Sequence, residues 1–349
     1  MRDTLNDMQL YLVDEFVEEY QEGHLSRREA LKRIAAITGS LALATTILAA
    51  CGPAQPAATS PTAASAQPTG VAPPAAPAAT AAAAATAAPA TTAAPAATAA
   101  APAGPDPAVS VPETDPAIEA RMVEFPGDGV TLKGYLAKPK GDGPFPIILV
   151  CHENRGLTDY IKDVTRRVAK AGYVGLAVDL LSRQGGTAAI SDPAQIQGAL
   201  GQAPEGQPAQ DFQSGLRYAQ SLPFVDKAKV GMVGFCYGGG VTWRVATKTP
   251  ELRAAVPFYG PVPKIEDVPG IQAAVLAIYG GLDQRINAGI PDIEAAMKQN
   301  GKTFQKEIYE GANHAFHNDT GRNYNPDAAK DAWAKTLAWF DKYVMNRTG

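Results

Sequence analysis

The 349-residue sequence predicts an α/β domain with a doubly wound, mostly parallel sheet and helices on both faces. Three observations support this. Continuous apolar runs such as residues 146–151 are typical of central strands that are buried on both sides. These runs alternate with segments of helical spacing, as in repeated strand–helix–strand units. A glycine-rich turn, residues 234–240, joins one such run to a segment that can form a helix.

The elements can be assigned in order along the chain. The predicted strands cover residues 121–125, 131–138, 146–151, 173–178, 229–233, 254–259, 273–279 and 303–308. The predicted helices cover residues 160–171, 208–222, 241–247, 290–300 and 326–344. Because open parallel sheets bind ligands beyond the carboxyl ends of their strands, polar residues that directly follow these strands are candidate site residues.

Composition divides the chain into three regions. Residues 53–112 are almost entirely Ala, Pro and Thr, which cannot build a packed core. We therefore assign residues 1–50 to an export signal with an acidic extension, and 51–114 to a lipid-attachment cysteine followed by a disordered linker. Residues 115–349 form the single folded domain, which is long enough for a sizeable core.

The N-terminal region has the features of a targeting signal. Residues 1–23 are acidic and have the spacing of an amphipathic helix. Arg27 and Arg28 then precede a short apolar stretch, residues 34–50, as in twin-arginine export signals. Cys51 follows in a context that resembles a bacterial lipobox. We expect the twin-arginine export machinery to recognise this region and the signal to be cleaved. A lipid on Cys51 would then anchor the protein to the outer face of the cytoplasmic membrane. The alternative is an uncleaved signal anchor.

Charge and cysteine usage exclude several classes of function. The formal net charge is −4 and no basic stripe is present, so the sequence does not predict nucleic-acid binding. The three cysteines, Cys51, Cys151 and Cys236, lie in unrelated contexts and do not suggest a disulfide framework. No Cys/His spacing typical of zinc sites occurs, so neither a metal nor a cofactor is predicted.

The turn around Cys236 has the pattern of a nucleophile elbow, with cysteine where serine is usual. Such a turn exposes the nucleophile at the end of a strand and places the next N–H, that of Tyr237, where it can bind an oxyanion. The helix N-terminus is also expected to lower the thiol pKa. The alternative is an inert buried cysteine in a glycine-rich turn.

Two further residues complete a candidate catalytic triad. His314 lies in the loop after the last predicted strand, and Asp283 follows the strand before it. A thiol needs a base, and the base needs an orienting acid. The order Cys236, Asp283, His314 is that of α/β hydrolases. His317 is the competing base.

These motifs resemble those of the dienelactone hydrolase (carboxymethylenebutenolidase) family. The resemblance extends over residues 121–343 and is carried by the cysteine elbow, by Asp283 and His314, and by the sequence Cys-His-Glu-Asn-Arg-Gly at residues 151–156. It implies an α/β-hydrolase fold and hydrolysis of a small ester or lactone without a cofactor.

The resemblance also implies roles for individual residues. Glu153 is similar to the glutamate that holds the resting thiol, although it could simply satisfy loop backbone groups. The backbone N–H of Asn154 would be the second oxyanion donor. Arg183 matches the first of two arginines that bind a substrate carboxylate, although it could be an ordinary surface residue. At the position of the second arginine stands Asn318, with Arg322 nearby but out of register, which suggests a broader or different ester or lactone.

The sequence thus predicts a cysteine-dependent hydrolase of esters or lactones that forms an acyl-thioester intermediate. Two alternatives remain open. One is a general carboxylesterase or thioesterase with the same machinery. The other is a surface-tethered binding protein on a hydrolase scaffold without catalytic activity.

Overall fold

An eight-stranded sheet organises the computed structural model, which describes residues 5–50 and 110–347. The strands are β1 (Ile118–Pro126), β2 (Thr131–Pro139), β3 (Phe145–Cys151), β4 (Val174–Asp179), β5 (Val225–Phe235), β6 (Ala254–Phe258), β7 (Ala274–Gly280) and β8 (Phe304–Tyr309). They lie in the order β1-β2-β4-β3-β5-β6-β7-β8. β1 pairs antiparallel with β2 and β2 with β4, whereas all other neighbours are parallel.

Helices pack around this sheet. They are α1 (Asp7–Gln21), α2 (Arg27–Thr38), α3 (Leu41–Ala50), α4 (Asp159–Lys170), α5 (Pro193–Gly201), α6 (Gln207–Ser221), α7 (Tyr237–Lys248), α8 (Gln284–Asn287), α9 (Ile290–Gln299) and α10 (Pro326–Tyr343). The predicted α/β architecture is confirmed. Four helices were not predicted. α2 and α3 lie in the stretch assigned to the export signal, and α5 and the short α8 have no long amphipathic pattern.

Burial along the strands explains the topology. Every residue of β4, β6 and β7 is buried, as expected of strands covered on both faces. The edge strand β1 mixes buried and exposed residues, and β8, at the other edge, has no buried residue among its six. The continuous apolar runs in the sequence therefore mark the centre of the sheet.

The same topology gathers the candidate site residues. β3, β5, β7 and β8 are parallel, so their carboxyl ends meet at one edge of the sheet. The segments that follow them carry Glu153 and Asn154, then Cys236, then Asp283, and last His314. Residues far apart in sequence are thus brought to one place by strand order alone.

Helices α1 to α3 pack against the folded domain. Asn6 begins α1 with a capping box, in which its side chain accepts from the N–H groups of Met8 and Gln9. The apolar side chains Leu12, Val13 and Phe16 of this helix are buried in the core. The sequence predicted an amphipathic helix here, but not what its apolar face contacts.

No described helix is both long and apolar enough to cross a bilayer. Cys51 and the Ala/Pro/Thr-rich stretch that follows it lie outside the described residues, so the assignments made for them remain predictions.

Candidate active site

Cys236 lies at the sharp turn between β5 and α7, with φ 58° and ψ −120°. A non-glycine residue adopts positive φ only where the surroundings enforce it, and such strain is common at functional sites. Two glycines permit the turn. A Cβ on Gly234 would lie 2.2 Å from the carbonyl oxygen of Gly238, and one on Gly238 would lie 2.5 Å from that of His152. The helix can therefore approach the sheet only because both residues lack side chains.

The first turn of α7 provides hydrogen-bond donors beside the thiol. The N–H groups of Gly239 and Gly240 donate to the carbonyl oxygen of Cys236 at 2.9 and 3.3 Å. The N–H of Tyr237 is the first of the helix and has no carbonyl behind it within the helix. This group is well suited to bind a negative charge that develops next to Cys236.

The other two members of the predicted triad lie in the same place. Nδ1 of His314 is 2.5 Å from Oδ2 of Asp283. Asp283 is buried, and its other carboxylate oxygen accepts from the N–H of Ile286 at the start of α8. A ring nitrogen of His314 and Sγ of Cys236 lie within 4.8 Å of each other. The structure therefore brings Cys236, His314 and Asp283 together in the order that proton transfer requires.

Electrostatics favour His314 as the base. Burial lowers the pKa of its imidazole, but the charge and hydrogen bond of Asp283 outweigh burial and raise the pKa well above its ordinary value. Nε2 is buried and has no hydrogen-bond partner among the described residues, so it is available to take a proton. The competing base, His317, is bound through Nδ1 to the hydroxyl of Tyr160 at 2.7 Å. Burial, and then the charge of Arg167, lower the pKa of His317 to about 3.

The pKa of the Cys236 thiol departs from the sequence-based expectation. The helix N-terminus was expected to lower it. Instead, burial and then the negative charge of Glu15 raise the pKa above its ordinary value. Glu15 belongs to α1, which the sequence analysis placed in the export signal and not in the site. In this conformation the thiol is held neutral.

Glu153 reaches the site but bonds elsewhere. Its Oε2 accepts from Nδ2 of Asn318 at 2.7 Å, and its buried Oε1 has no partner within the described part of the chain. Burial raises the pKa of this carboxyl to about 7. The thiol is contacted not by Glu153, as the resemblance implied, but by Tyr11 and Glu15. Asn318 stands at the position where the resemblance predicted a second arginine. Its side chain instead holds Glu153 in place.

His152 is structural, as its position in the core indicates. Its Nε2 lies 3.2 Å from the N–H of Leu180 and must accept, so Nδ1 carries the proton and donates to the carbonyl oxygen of Glu153 at 2.7 Å. This pair of bonds fixes the loop that carries Asn154. The side-chain Nδ2 of Asn154 donates to Oε1 of Glu15 at 2.7 Å. The predicted oxyanion role of its backbone N–H remains a prediction.

Arg183 is the predicted substrate-binding residue that the structure does not bring to Cys236. Its guanidinium donates two hydrogen bonds to the buried carboxylate of Asp211, at 2.6 and 3.0 Å. It lines a different depression, together with residues of α5 and the loop before α6. A guanidinium held by a bidentate bond to a buried carboxylate is not free to bind substrate.

Helix α1 contributes residues to the site that the sequence analysis missed. The hydroxyl of Tyr11 lies 3.0 Å from Sγ of Cys236, and both carboxylate oxygens of Glu15 lie 3.9 Å from it. The amphipathic pattern of residues 1–23 was the available signal. Nothing in that pattern identifies the surface against which the helix packs.

A cavity of about 460 Å³ leads to this site. Its wall includes both Cys236 and His314, together with acidic and basic side chains from α1, from α2 and from residues 153–322. The charged residues that line it are Glu15, Glu19, Arg33, Glu153, Arg155 and Arg322. A cavity of this size and polarity suits a small, polar substrate.

One group of side chains in the described residues could also hold a metal ion. The donor atoms of Glu15, Cys236 and His314 lie within 4.8 Å of one another. These are ligand types that zinc accepts. Two of the three, Cys236 and His314, also belong to the candidate triad.

A scan against protein families places this geometry in context. The model of the dienelactone hydrolase family matches residues 132–344, more than half of the chain, beginning at the second residue of β2. The chain belongs to the dienelactone hydrolase family. It is therefore a hydrolase of the α/β-hydrolase fold, as the resemblance of the elbow, acid and histidine motifs implied.

Individual relatives agree with this assignment. The chain is 35% identical over 236 residues to a Methylorubrum extorquens protein provisionally named carboxymethylenebutenolidase, covering 64% of this chain and 81% of the relative. It is 32% identical over 257 residues to an Escherichia coli O157:H7 protein of the same provisional name, covering 70% and 94%.

Solved structures show the same fold. A Klebsiella pneumoniae protein provisionally described as a dienelactone hydrolase superimposes with TM-score 0.61 and 32% identity, covering 65% of this chain and all of that one. The metagenomic protein P91, described as a dienelactone hydrolase-like promiscuous phosphotriesterase, gives TM-score 0.59 and 26% identity, covering 65% and 99%.

Proposed function

We propose that this member of the dienelactone hydrolase family hydrolyses small esters or lactones through an acyl-thioester on Cys236. One observation carries the proposal. Nδ1 of His314 is bound to the buried carboxylate of Asp283, which leaves the unpartnered Nε2 as the ring nitrogen that can exchange a proton with the thiol. Nucleophile, base and orienting acid thus have the relation that covalent catalysis needs.

The reaction follows from these positions. The thiol proton of Cys236 passes to Nε2 of His314, and the sulfur attacks the substrate carbonyl carbon. The N–H of Tyr237, with that of Asn154 as the second donor, binds the oxyanion of the tetrahedral intermediate. When the intermediate collapses, the C–O bond breaks and His314 returns the proton to the leaving alkoxide. Water, deprotonated by the same imidazole, then attacks the thioester and releases the acid and the free thiol.

The cavity supports a polar substrate but not a double-arginine clamp for a carboxylate. Arg183 is held by Asp211, and Asn318 occupies the place of the second arginine. Arg33, Arg155 and Arg322 line the cavity and are the guanidinium groups that an incoming anionic group would meet. We infer a broader ester or lactone range. The alternatives remain a general carboxylesterase or thioesterase, and a binding protein without turnover.

Trapping the intermediate tests the mechanism. Incubation of the full chain with p-nitrophenyl acetate, followed by acid quenching, should give a protein one acetyl group heavier, with the label on the peptide that contains Cys236. Mass spectrometry after proteolysis locates the group. Acetyl transfer confined to other residues, with ester hydrolysis intact, would exclude Cys236 as the nucleophile. Absence of both label and hydrolysis, in the full chain and also in a variant in which α1 is released, would favour the binding protein.

We also propose that the protein is exported and anchored by a lipid on Cys51. The support is in the sequence, in the Arg27-Arg28 pair before the apolar stretch and in the context of Cys51. Replacing both arginines with lysine should leave the protein in the cytoplasm, because twin-arginine recognition requires the guanidinium pair. Cell fractionation measures this. Unchanged export of the double variant would contradict the proposal.

A further inference from the structure

Helix α1 occupies the position that a substrate must take. The hydroxyl oxygen of Tyr11 lies 3.0 Å from Sγ of Cys236. Reacting atoms in a productive complex stand about 3–3.5 Å apart, so this oxygen is at the distance at which the carbonyl carbon of a bound ester would be found. Cys236 is only 3% exposed as a result, although the cavity reaches it. A substrate carbonyl that approaches the sulfur from this side must displace Tyr11.

Glu15, one turn further along α1, also lies beside the sulfur of Cys236. Its carboxylate lies 3.9 Å from the sulfur and accepts a hydrogen bond from Nδ2 of Asn154, on the loop assigned to the oxyanion site. A carboxylate beside a thiol disfavours the thiolate. Tyr11 and Glu15 therefore cover the sulfur, and the carboxylate of Glu15 also disfavours its thiolate form.

Contacts along the helix fix it in this place. Nε of Arg285 donates to Glu18 at 2.9 Å, and the same guanidinium lies over the ring of Tyr11, 4.9 Å from its centroid. Arg322 donates to Glu19 at 3.2 Å. The acidic residues of α1 thus pair with cations of the catalytic domain, one of which lines the cavity and would otherwise face substrate. Unlike an isolated amphipathic helix, α1 is matched to this surface in both shape and charge.

We infer that α1 is an intramolecular inhibitor that keeps the enzyme latent while it is docked. This inference rests on the proposed cysteine-hydrolase function. Displacement of α1, or its removal with the N-terminal region, uncovers Cys236, Asn154 and Arg322 together. The cavity beside the helix provides the route by which a substrate competes with Tyr11 for the thiol.

The rate of alkylation of Cys236 in the full chain measures how far α1 shields the thiol, independently of hydrolysis. Iodoacetamide is added to the wild type, to Tyr11→Ala and to Val13→Asp, and the rate at the Cys236 peptide is followed by mass spectrometry. Tyr11→Ala removes the ring over the sulfur, whereas Val13→Asp places a charge on the buried face of α1 and releases the helix. Tyr20→Ala, the same truncation at the other end of α1, is the matched control. Circular dichroism verifies that each variant retains the sheet.

We expect alkylation at least tenfold faster in Val13→Asp, several-fold faster in Tyr11→Ala, and unchanged in Tyr20→Ala. Ester hydrolysis should rise in the same order. Equal alkylation rates in all four proteins would overturn the inference. So would faster alkylation accompanied by slower hydrolysis, because α1 would then assist catalysis. Faster alkylation with no hydrolysis in any protein would show that α1 shields the thiol but would reject the proposed function. Failure of the inference and failure of the proposed function are therefore distinguishable.

Discussion

Replacing Cys236 with alanine is expected to lower kcat for ester hydrolysis by a factor on the order of 10⁴ to 10⁶. The variant retains the oxyanion donors and His314 but has no atom that can form the acyl-enzyme. Water would have to attack the ester directly from a site shaped for sulfur. Steady-state kinetics with p-nitrophenyl acetate and with a lactone, in the full chain and in the Val13→Asp background, measure the loss. The Val13→Asp background, in which α1 is released, distinguishes activity lost with the nucleophile from activity suppressed by α1.

Cys151→Ala is the matched control for this experiment. Cys151 is a free, fully buried thiol at the end of β3. Its removal leaves a small cavity, which costs about 1 kcal/mol of folding stability or somewhat more, and should leave kcat near that of the wild type. If both alanine variants hydrolyse esters as fast as the wild type, the covalent mechanism is excluded. If only the Cys151 variant loses activity, the nucleophile has been assigned to the wrong thiol.

Asp283→Asn is expected to lower kcat by a factor of about 10³ to 10⁴, with little change in KM. An amide cannot stabilise the imidazolium, and its NH₂ group can impose the wrong tautomer on His314. The charge of Asp283 now raises the pKa of His314. Its loss lowers that pKa, so the imidazolium that stabilises the thiolate persists only at lower pH. The pH dependence of Cys236 alkylation should therefore shift to higher pH.

Asp292→Asn, at an exposed position in the first turn of α9, provides the control for this change, because it removes the same charge from a residue outside the triad. It should alter neither kcat nor the alkylation profile. A shift of the Asp283→Asn profile to lower pH would contradict the assigned role of the carboxylate. An unchanged kcat would show that His314 does not depend on Asp283 for its orientation.

The fold and the candidate triad were accessible from sequence because both depend on local patterns. Continuous apolar runs identify strands buried on both faces, and their parallel arrangement sends the residues that follow them to one edge. Cys236 directly follows such a run and Asp283 comes three residues after one, whereas His314 follows the exposed edge strand β8. Because these strands are parallel, the expectation that the three residues meet required no knowledge of contacts between distant elements. His317 lies only three residues beyond His314, and burial against Tyr160 distinguishes the two only in the structure.

Contacts across the chain could not be read in the same way. Arg183 was chosen by its position in a motif, but its partner, Asp211, lies 28 residues later on α6, where nothing in the sequence indicates the pairing. Tyr11 and Glu15 lie in a segment whose composition suggested export, and an amphipathic pattern states only that one face is buried. The pKa of Cys236 was misjudged for this reason. The helix N-terminus was visible in the sequence, whereas the carboxylate brought by α1 was not.

The position of α1 in the chain has a consequence for the order of folding. Its contacts with Cys236, Arg285 and Arg322 join residues 225, 267 and 303 positions apart, and the helix takes no part in strand pairing. Such distant contacts are slow to form, and a unit outside the sheet can open without breaking it. The helix is synthesised first, but its pairing with Arg322 requires the loop after β8, which lies near the end of the chain. We therefore expect the candidate site to assemble before α1 covers it.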